Sequence, residues 1–302
     1  MSTQVTGRKK SSSSRTQQPW LPWLFLFPAG LGYVIFFLWP TVRGIWLSFT
    51  EYNLLTPATF IGFDNYTRMF GDPLFWNAMR VTLWYVVLNI GIQTIMALLI
   101  AVLMHRLTQS TFVRSVVLSP YLVSNVVAAV IWLWILDGQF GIANQILEWI
   151  GIGRIGFLTD PNWAIPTIAM INVWRHMGYT ALLIFAGLQN LPNSVYEAAR
   201  MDGASETHIF FSITMPLLRP ILALVLIMTV IGSFQVFDTV SVNTGGGPAN
   251  STNVLQMYIY DMAFGRFQFG YASAMSVALL VVLAIITFIQ FKVTRANDTD
   301  LD

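Results

Sequence analysis

The chain has 302 residues, of which 55% are hydrophobic and only 10% are charged. Soluble domains carry roughly 25% charged residues, so this composition predicts a membrane protein. The net charge of +2 is too small for a nucleic-acid-binding surface, and the absence of cysteine excludes disulfides, thiol catalysis and cysteine-ligated metals.

The two ends of the chain are polar, and the part between them is apolar. Residues 1–19 are basic and rich in serine, which is typical of a disordered tail. The apolar run that follows is longer than a signal-peptide core and has no small-residue cleavage site, so we expect it to be retained. We predict one membrane domain, residues 20–295, followed by a short tail, residues 296–302.

Six stretches of the membrane domain are long enough to cross about 30 Å of hydrocarbon as helices. In chain order they are residues 20–39, 81–104, 112–136, 164–188, 220–242 and 271–291. The sixth begins with small residues that allow close helix packing. The sequence therefore predicts an all-α polytopic membrane protein with six transmembrane helices.

Positive charge is shared unevenly between the loops. Of the 16 lysines and arginines, ten fall on one side of the predicted spans, five on the other, and Arg175 within a span. Because cytoplasmic loops carry an excess of lysine and arginine, both termini are predicted to be cytoplasmic.

Polar side chains interrupt the fourth predicted span. Asn172, His176 and Tyr179 are spaced i, i+4 and i+7, with Arg175 beside them, so they share one helix face. Polar groups inside a span normally face the protein interior or a wet cavity, which predicts that this face lines a pathway. The alternative is that Arg175 and His176 make interhelical hydrogen bonds.

The fifth span carries a similar set. Gly232, Gln235 and Asp238 lie at i, i+3 and i+6, so Gln235 can share a face with either neighbour. A weaker set in the third span consists of Tyr121, Ser124 and Asn125.

A charged segment separates the fourth and fifth spans. Ser194 and Glu197 fit a capping box, which predicts that a helix starts at Ser194. Gly203 favours the positive-φ turn that ends a helix. Residues 205–213 can form a second short helix, which we expect to end near Pro216 because proline disfavours helix in the preceding residue. The segment is thus predicted to be a cytoplasmic helix-turn-helix.

The residues of this segment also match a known pattern. It reads Glu197-Ala198-Ala199, two residues, Asp202-Gly203-Ala204, and then Phe210 and Pro216. This resembles the conserved loop of the inner-membrane subunits of ATP-binding-cassette importers. Residues 60–66, 233–238 with 244–248, and 270–274 are similar to other segments of the sugar-importing branch, in which the chain resembles the maltose-system F and glycerol-phosphate-system A subunits.

The resemblance implies a type I importer fold in a prokaryotic cytoplasmic membrane. The coupling loop, residues 189–219, would dock into a cleft on a separate ATPase subunit, with Glu197 paired to a basic residue there. Tyr179 and Gln235 would lie near a carbohydrate substrate. The implied partners are a second homologous permease subunit, two ATP-binding-cassette ATPase subunits, an extracytoplasmic solute-binding protein and membrane lipid.

The energy source is expected on a partner chain. The only lysines are Lys9, Lys10 and Lys292, and none belongs to a phosphate-binding Gly-x-x-x-x-Gly-Lys loop. We therefore expect no catalysis and no cofactor in this chain, with ATP and magnesium bound by the ATPase.

Other functions remain open at this point. The cargo is a sugar or a sugar phosphate such as glycerol phosphate, since Asp238 disfavours an anion but Arg175 could reverse that preference. A stand-alone ion-coupled carrier would need an ion site in the membrane, for which Asp238 is the one carboxylate in the predicted spans. An intramembrane enzyme would need paired carboxylates, a His-Glu-x-x-His helix or a nucleophile and base, which the sequence lacks.

Overall fold

The chain is predominantly helical where the structure describes it. The computed structural model describes residues 20–108 and 110–293 and divides into two compact units at the boundary between Trp46 and Leu47. The predicted tails, residues 1–19 and 296–302, lie outside the described residues.

The first unit forms one helical path. Helix α1 (Leu21–Tyr33) leads through a π-helical turn (Val34–Leu38) into α2 (Trp39–Leu47). The wider turn lies just before Pro40, where the missing N–H and the bulk of the ring disfavour a regular α-helical turn. The predicted span of residues 20–39 is therefore helical, but its helix continues to Leu47.

The second unit begins with a small hairpin that leads into the longest helix. Strands β1 (Thr50–Glu51) and β2 (Thr59–Phe60) pair antiparallel with Thr50 opposite Phe60. They are followed by α3 (Asp64–Gly71), α4 (Pro73–Leu107), α5 (Thr111–Leu122), α6 (Asn125–Ile135), α7 (Ile142–Trp149) and α8 (Pro161–Gln189).

The remaining helices have nine residues or fewer, apart from one of 16 residues and the last of 25. They are α9 (Asn193–Met201), α10 (Glu206–Ile209), a π-helical turn (Phe210–Thr214), α11 (Met215–Leu217), α12 (Arg219–Phe234), α13 (Asp238–Asn243), α14 (Leu255–Tyr260), a second such turn (Asp261–Gly265) and α15 (Phe269–Val293).

Helix length and apolarity identify fewer membrane spans than the sequence predicted. Among the described residues, four helices qualify: Leu24–Leu47, Pro73–Leu107, Arg219–Asn243 and Phe269–Val293. The bent pair α5 and α6 makes a fifth if it is counted as one span. The 29-residue α8 is long enough but falls short in apolarity, because it carries the polar face predicted for the fourth span. The count of six spans remains a prediction.

Two apolar clusters build the core of the second unit. One is centred on large buried side chains such as Tyr85, Ile168 and Phe234, and the other on small and branched side chains such as Ala101 and Ile184. Helices α4 and α8 contribute to both clusters. The residues of α4 that lie between its two apolar stretches include Asn89 and Gln93, so a polar layer separates the clusters.

Asp72, which caps the start of α4, also makes hydrogen bonds to α14 and α15. Its Oδ1 accepts the Leu74 amide at 2.9 Å, and its Oδ2 accepts the hydroxyls of Tyr258 and Tyr271 at 2.5 and 2.7 Å. Burial raises the pKa of Asp72, but these hydroxyls and the backbone amides of Leu74 and Phe75 outweigh it, so the pKa lies below its ordinary value. Because folding lowers this pKa, the carboxylate stabilises the fold above its unfolded pKa of about 3.9, and that stability is lost as the pH falls through the folded pKa.

Asp72→Asn is expected to lower the free energy of unfolding by about 1 to 3 kcal/mol near neutral pH, because hydrogen bonds to a charged group are the stronger kind. Thermal unfolding in detergent from pH 3 to 7 measures it, and the acid-dependent loss should shrink in the variant. The matched control is Asp160→Asn, since Asp160 also caps a helix that starts with proline but accepts from Asn162 and not from tyrosine. Equal losses in the two variants would contradict the role of the tyrosine pair.

Candidate functional site

A polar cavity lies between the two apolar clusters, near the middle of α4. It has a volume of about 240 Å³ and is walled by α4, α5, α6, α8, α12 and α13. Its polar lining residues are Tyr85, Asn89, Gln93, Tyr121, Asn125, Asn172, His176, Tyr179, Thr180, Thr229, Ser233, Gln235, Asp238 and Thr239. Polar groups at this depth of a membrane helix bundle are typical of a substrate or ion pathway.

The predicted pathway residues meet at this cavity, with one exception. Asn172, His176, Tyr179, Gly232, Gln235 and Asp238 all line it. The weaker predicted set of the third span contributes Tyr121 and Asn125, whereas Ser124 instead caps α6 by accepting the Val127 amide at 3.4 Å.

Arg175 is the exception, and it stabilises a break in the neighbouring span. Its Nε donates to the carbonyl oxygen of Val123 at 2.8 Å and its Nη2 to that of Tyr121 at 3.3 Å. The guanidinium carbon also lies 5.3 Å from the centre of the Tyr121 ring. The interhelical alternative raised by the sequence is therefore the arrangement found for Arg175.

The third predicted span is not one straight helix. Helices α5 and α6 meet at an angle of 91° across Val123 and Ser124. A break exposes carbonyl groups that have no partner within the helix, and in a membrane such groups must be satisfied by protein. The Arg175 guanidinium supplies two of these bonds, so the predicted span of residues 112–136 consists of two helices with a break between them.

A glycine allows α5 and α8 to approach closely beside this break. A Cβ added to Gly178 would overlap the backbone carbonyl oxygen of Val117. Any larger residue here would push α5 away from α8, and with it the Tyr121 ring that lines the cavity.

The partners of His176 assign its tautomer. Its Nδ1 lies 2.9 Å from the carbonyl oxygen of Asn172, which can only accept, so Nδ1 carries the proton. Its Nε2 lies 2.8 Å from Nη1 of Arg175, which can only donate, so Nε2 holds the lone pair. His176 is therefore a neutral ring whose two nitrogens are both in use.

The fifth span is interrupted as well. Helix α12 ends at Phe234 and α13 begins at Asp238, so Gln235, Val236 and Phe237 leave the helical path beside the cavity. The Nδ2 of Asn125 donates to Oδ2 of Asp238 at 2.9 Å, which ties this interruption to the break between α5 and α6. Helix interruptions at mid-membrane depth are a recurring feature of transporter binding sites.

Two tyrosines form an aromatic surface in the cavity. The rings of Tyr121 and Tyr179 are stacked, with 4.5 Å between their centres and 12° between their planes. They come from α5 and α8, so the stack depends on the same helix packing that Gly178 allows.

The residues on α4 were missed by the sequence analysis. Asn89 donates through Nδ2 to Ser233 Oγ at 2.9 Å and to Gln93 Oε1 at 3.2 Å, and Gln93 donates to Thr180 Oγ1 at 2.9 Å. Tyr85, Asn89 and Gln93 are spaced i, i+4 and i+8, the same one-face pattern that singled out the fourth span. That stripe was the signal that could have found them.

The coupling loop is helical on both sides of Gly203. Helix α9 ends in a Schellman turn, in which the Ala204 amide donates to the Ala199 carbonyl at 3.0 Å and the Gly203 amide to the Arg200 carbonyl at 3.1 Å. Gly203 has φ +75°, the left-handed conformation expected from the sequence. The predicted capping box is absent: α9 starts at Asn193, its capping residue is Pro192, and no side chain caps it.

The second half of the loop is helical from Glu206 to Leu217. Ser205 caps α10 by accepting the His208 amide at 3.3 Å, but the helical path then continues through the π-helical turn and α11 past Pro216. The π-helical turn immediately before Pro216 accommodates the missing N–H, as at Pro40. Helix α11 ends at Leu217, one residue past Pro216, so the helix ends near the predicted position, although Met215 before the proline is helical.

Side chains of the loop divide between internal and exposed positions. Ala199 is buried, and Glu206 pairs with Arg106 of α4 at 3.0 Å and with Arg200 at 3.5 Å. Glu197 is exposed and makes no hydrogen bond or ion pair within the described residues. The remaining predicted loop residues fall as follows: Ala198 and Asp202 are exposed, Ala204 and Phe210 are half-buried, and Pro216 lies in α11.

Interrupted apolar helices around a polar cavity define a membrane transport protein. The model of the family described as "Binding-protein-dependent transport system inner membrane component" matches residues 73–297, and the chain belongs to this family. It is therefore an inner-membrane transport component with several apolar helices.

Individual relatives cover nearly the whole chain. The sulfoquinovosyl glycerol transport system permease of Agrobacterium fabrum is 34% identical over 91% of this chain and 90% of its own length. The lactose transport system permease of Rhizobium radiobacter is 36% identical over 90% and 93%. A crystal structure of a bacterial ABC transporter for the acidic polysaccharide alginate matches with a TM-score of 0.81 and 26% identity, covering 91% of this chain and 95% of that one. The fold is thus that of a type I ABC importer permease.

Proposed function

We propose that this chain is the permease subunit of an ATP-driven, binding-protein-dependent importer, and that it forms half of the pathway for a sugar. The observation that carries the proposal is the polar cavity between interrupted helices, in a chain of this family. The carbohydrate class is supported by relatives whose names specify lactose or sulfoquinovosyl glycerol. Stacked tyrosine rings and amides suit the apolar faces and hydroxyls of a sugar.

Energy enters through the coupling loop in this proposal. Its outer surface presents the exposed carboxylate of Glu197 next to the exposed side chain of Met201, and Phe211 is exposed on the second half. A mixed acidic and apolar surface on a short ordered hairpin suits docking into a cleft of a partner chain. Two ATPase subunits, which bind ATP and magnesium, and a second permease subunit complete the assembly, with both termini of this chain in the cytoplasm.

The test is co-expression with candidate partner chains, followed by reconstitution in liposomes. We expect an ATPase and a second permease to co-purify with this chain, and sugar uptake to require both ATP and the binding protein. Uptake by this chain alone would contradict the proposal, because it would show a stand-alone carrier.

Tyr179→Ala and Gln235→Ala are each expected to raise the transport KM about three- to tenfold, because each removes a stacking or hydrogen-bonding contact worth roughly 1 kcal/mol. Radiolabelled sugar uptake measures KM, and the amount of assembled complex is measured alongside. The control is Gln145→Ala, since Gln145 lies in α7 and donates to the Phe140 carbonyl. An unchanged KM in both cavity variants would remove the site.

A further inference from the structure

Two asparagines of the cavity lining are held by hydrogen bonds within the protein. The Oδ1 of Asn89 is buried without a hydrogen-bond partner among the described residues, and Asn89 itself is only 4% exposed. The Oδ1 of Asn125 is buried and unpartnered in the same way. A buried polar atom without a partner is costly, and neither oxygen is exposed to a ligand in this arrangement.

The Nδ2 groups of three lining asparagines already donate to neighbouring groups of the protein. The Nδ2 of Asn89 donates hydrogen bonds to Gln93 and Ser233, and the Nδ2 of Asn125 donates one to Asp238. Asn172 gives its Nδ2 to the Ile168 carbonyl at 3.0 Å and to Thr239 Oγ1 at 3.2 Å. Gln235 is the one lining amide whose side chain makes no hydrogen bond within the described residues, and it is exposed, so it offers a ligand both a donor and an acceptor.

The two residues that could present positive charge are also engaged. Arg175 is not among the lining residues, and three of its nitrogens donate to Val123, Tyr121 and His176. His176 lines the cavity as a neutral ring whose nitrogens are both bonded. In the described part of the chain, the cavity lining contains no lysine or arginine, and its one carboxylate is Asp238.

We infer that this chain's half of the pathway selects uncharged, hydroxyl-rich sugars and rejects anionic sugars such as uronates and sugar phosphates. Hydroxyl groups can both donate to and accept from the Gln235 amide, while an anionic group brings a charge that no lysine or arginine of the described lining balances and that Asp238 repels. Family membership leaves this open, because the similar proteins include a lactose permease and a transporter of an acidic polysaccharide. The inference rests on the proposed function, since it concerns the same cavity.

The experiment uses the assembled complex in lipid nanodiscs without its binding protein, so that the probes bind to the transmembrane cavity and not to the binding protein. Saturation-transfer NMR compares two neutral probes, glucose and lactose, with two anionic ones, glucuronate and glucose 6-phosphate. We expect the neutral probes to give signals that Tyr179→Ala reduces, and the anionic probes to give signals at least about tenfold weaker. No signal from any probe, or stronger signals from the anions, would overturn the inference.

A charge-neutral variant tests the carboxylate directly. Asp238→Asn keeps an oxygen that can accept from Asn125 but removes the charge, so the anionic probes should gain roughly tenfold relative to the neutral ones. The control, Asp64→Asn, changes an exposed carboxylate at the start of α3 and should leave the ratio unchanged. An unchanged ratio in Asp238→Asn would overturn the role of the carboxylate in rejecting anions.

The proposed function and the selectivity for neutral sugars are contradicted by different outcomes. If ATP-driven uptake fails in the liposome test, the proposed function is lost and the inference with it. If uptake succeeds but the nanodisc cavity binds anions at least as well as neutral sugars, only the inference is lost.

Discussion

Replacing Glu197 by lysine is expected to abolish ATP-driven uptake while leaving the protein inserted and folded. The Glu197 carboxylate is exposed on α9 and has no partner within the described residues, so its reversal disturbs no internal contact. In the proposed assembly it pairs with a basic residue of the ATPase, and breaking a paired charge at an interface costs about 2 to 5 kcal/mol. That loss corresponds to at least about a 30-fold weaker engagement of the loop.

Uptake and ATP hydrolysis should be measured on the same preparation. We expect hydrolysis to lose its stimulation by the loaded binding protein, together with uptake. The control is Glu148→Lys, the same charge reversal at an exposed helical glutamate whose partner Arg154 lies in its own loop at 2.7 Å. Normal uptake and normal stimulation in Glu197→Lys would show that this residue has no part in coupling.

The turn in the same loop offers a second route to this result. Gly203→Pro should also uncouple, because proline requires φ near −65° where Gly203 has +75°, and it removes the N–H that donates to Arg200. Gly203→Asn is the matched control, since asparagine tolerates the left-handed conformation and keeps the N–H. A rigid hairpin can transmit ATPase closure to the helices as a body, whereas a disrupted one cannot.

Replacing Arg175 by leucine is expected to give the largest loss of stability. The carbonyls of Val123 and Tyr121 and the Nε2 of His176 would each lose a donor, at about 1 to 3 kcal/mol apiece when buried. Removing a charge from the middle of a span returns about 2.5 to 3.5 kcal/mol. At the middle of these ranges the unmade hydrogen bonds outweigh the relief, so we expect a net loss of about 3 kcal/mol.

Two measurements test the role of Arg175. Unfolding in denaturant gives the stability, with Arg154→Leu as the control, because an exposed ion pair contributes little to stability. The chain has no cysteine, so spin labels can be placed at Phe112 and Trp134 without background. Two helices at a right angle put these positions roughly 20 Å apart, and a straight helix puts them roughly 33 Å apart.

A second population at the longer distance is expected in Arg175→Leu. It would show that the break between α5 and α6 relaxes when its carbonyls lose the guanidinium. An unchanged distance and unchanged stability would contradict the role we assign to Arg175.

Local signals in the sequence were strongest where one residue dictates the backbone. Gly203 was predicted as a left-handed turn and is one, because its conformation depends on its missing side chain. The capping box predicted at Ser194 is not formed. Helix α9 starts at Asn193, one residue earlier, with Pro192 as its capping residue, so the serine lies inside the helix. The helix expected to end near Pro216 ends at Leu217, although a preceding π-helical turn lets Met215 remain helical.

The candidate site also divides into residues that the sequence grouped correctly and residues that only the structure identified. Helical spacing grouped Asn172, His176 and Tyr179 correctly on one face of α8, because that relation lies within one regular element. The same spacing on α4 was overlooked, so Asn89 and Gln93 emerged only from the structure.

The sequence by itself determined the membrane class, the type I importer resemblance and the Gly203 turn, because composition, motif and backbone preference are all local properties. The tertiary structure decided that the third span breaks at a right angle and that Asn125 donates a hydrogen bond to Asp238. It also decided that Arg175 donates to the carbonyl groups at the break and does not line the cavity. Each of these depends on groups more than 50 residues apart in the chain, such as Arg175 and Val123. No periodicity within one helix can report such a contact, because it exists only when separate helices pack together.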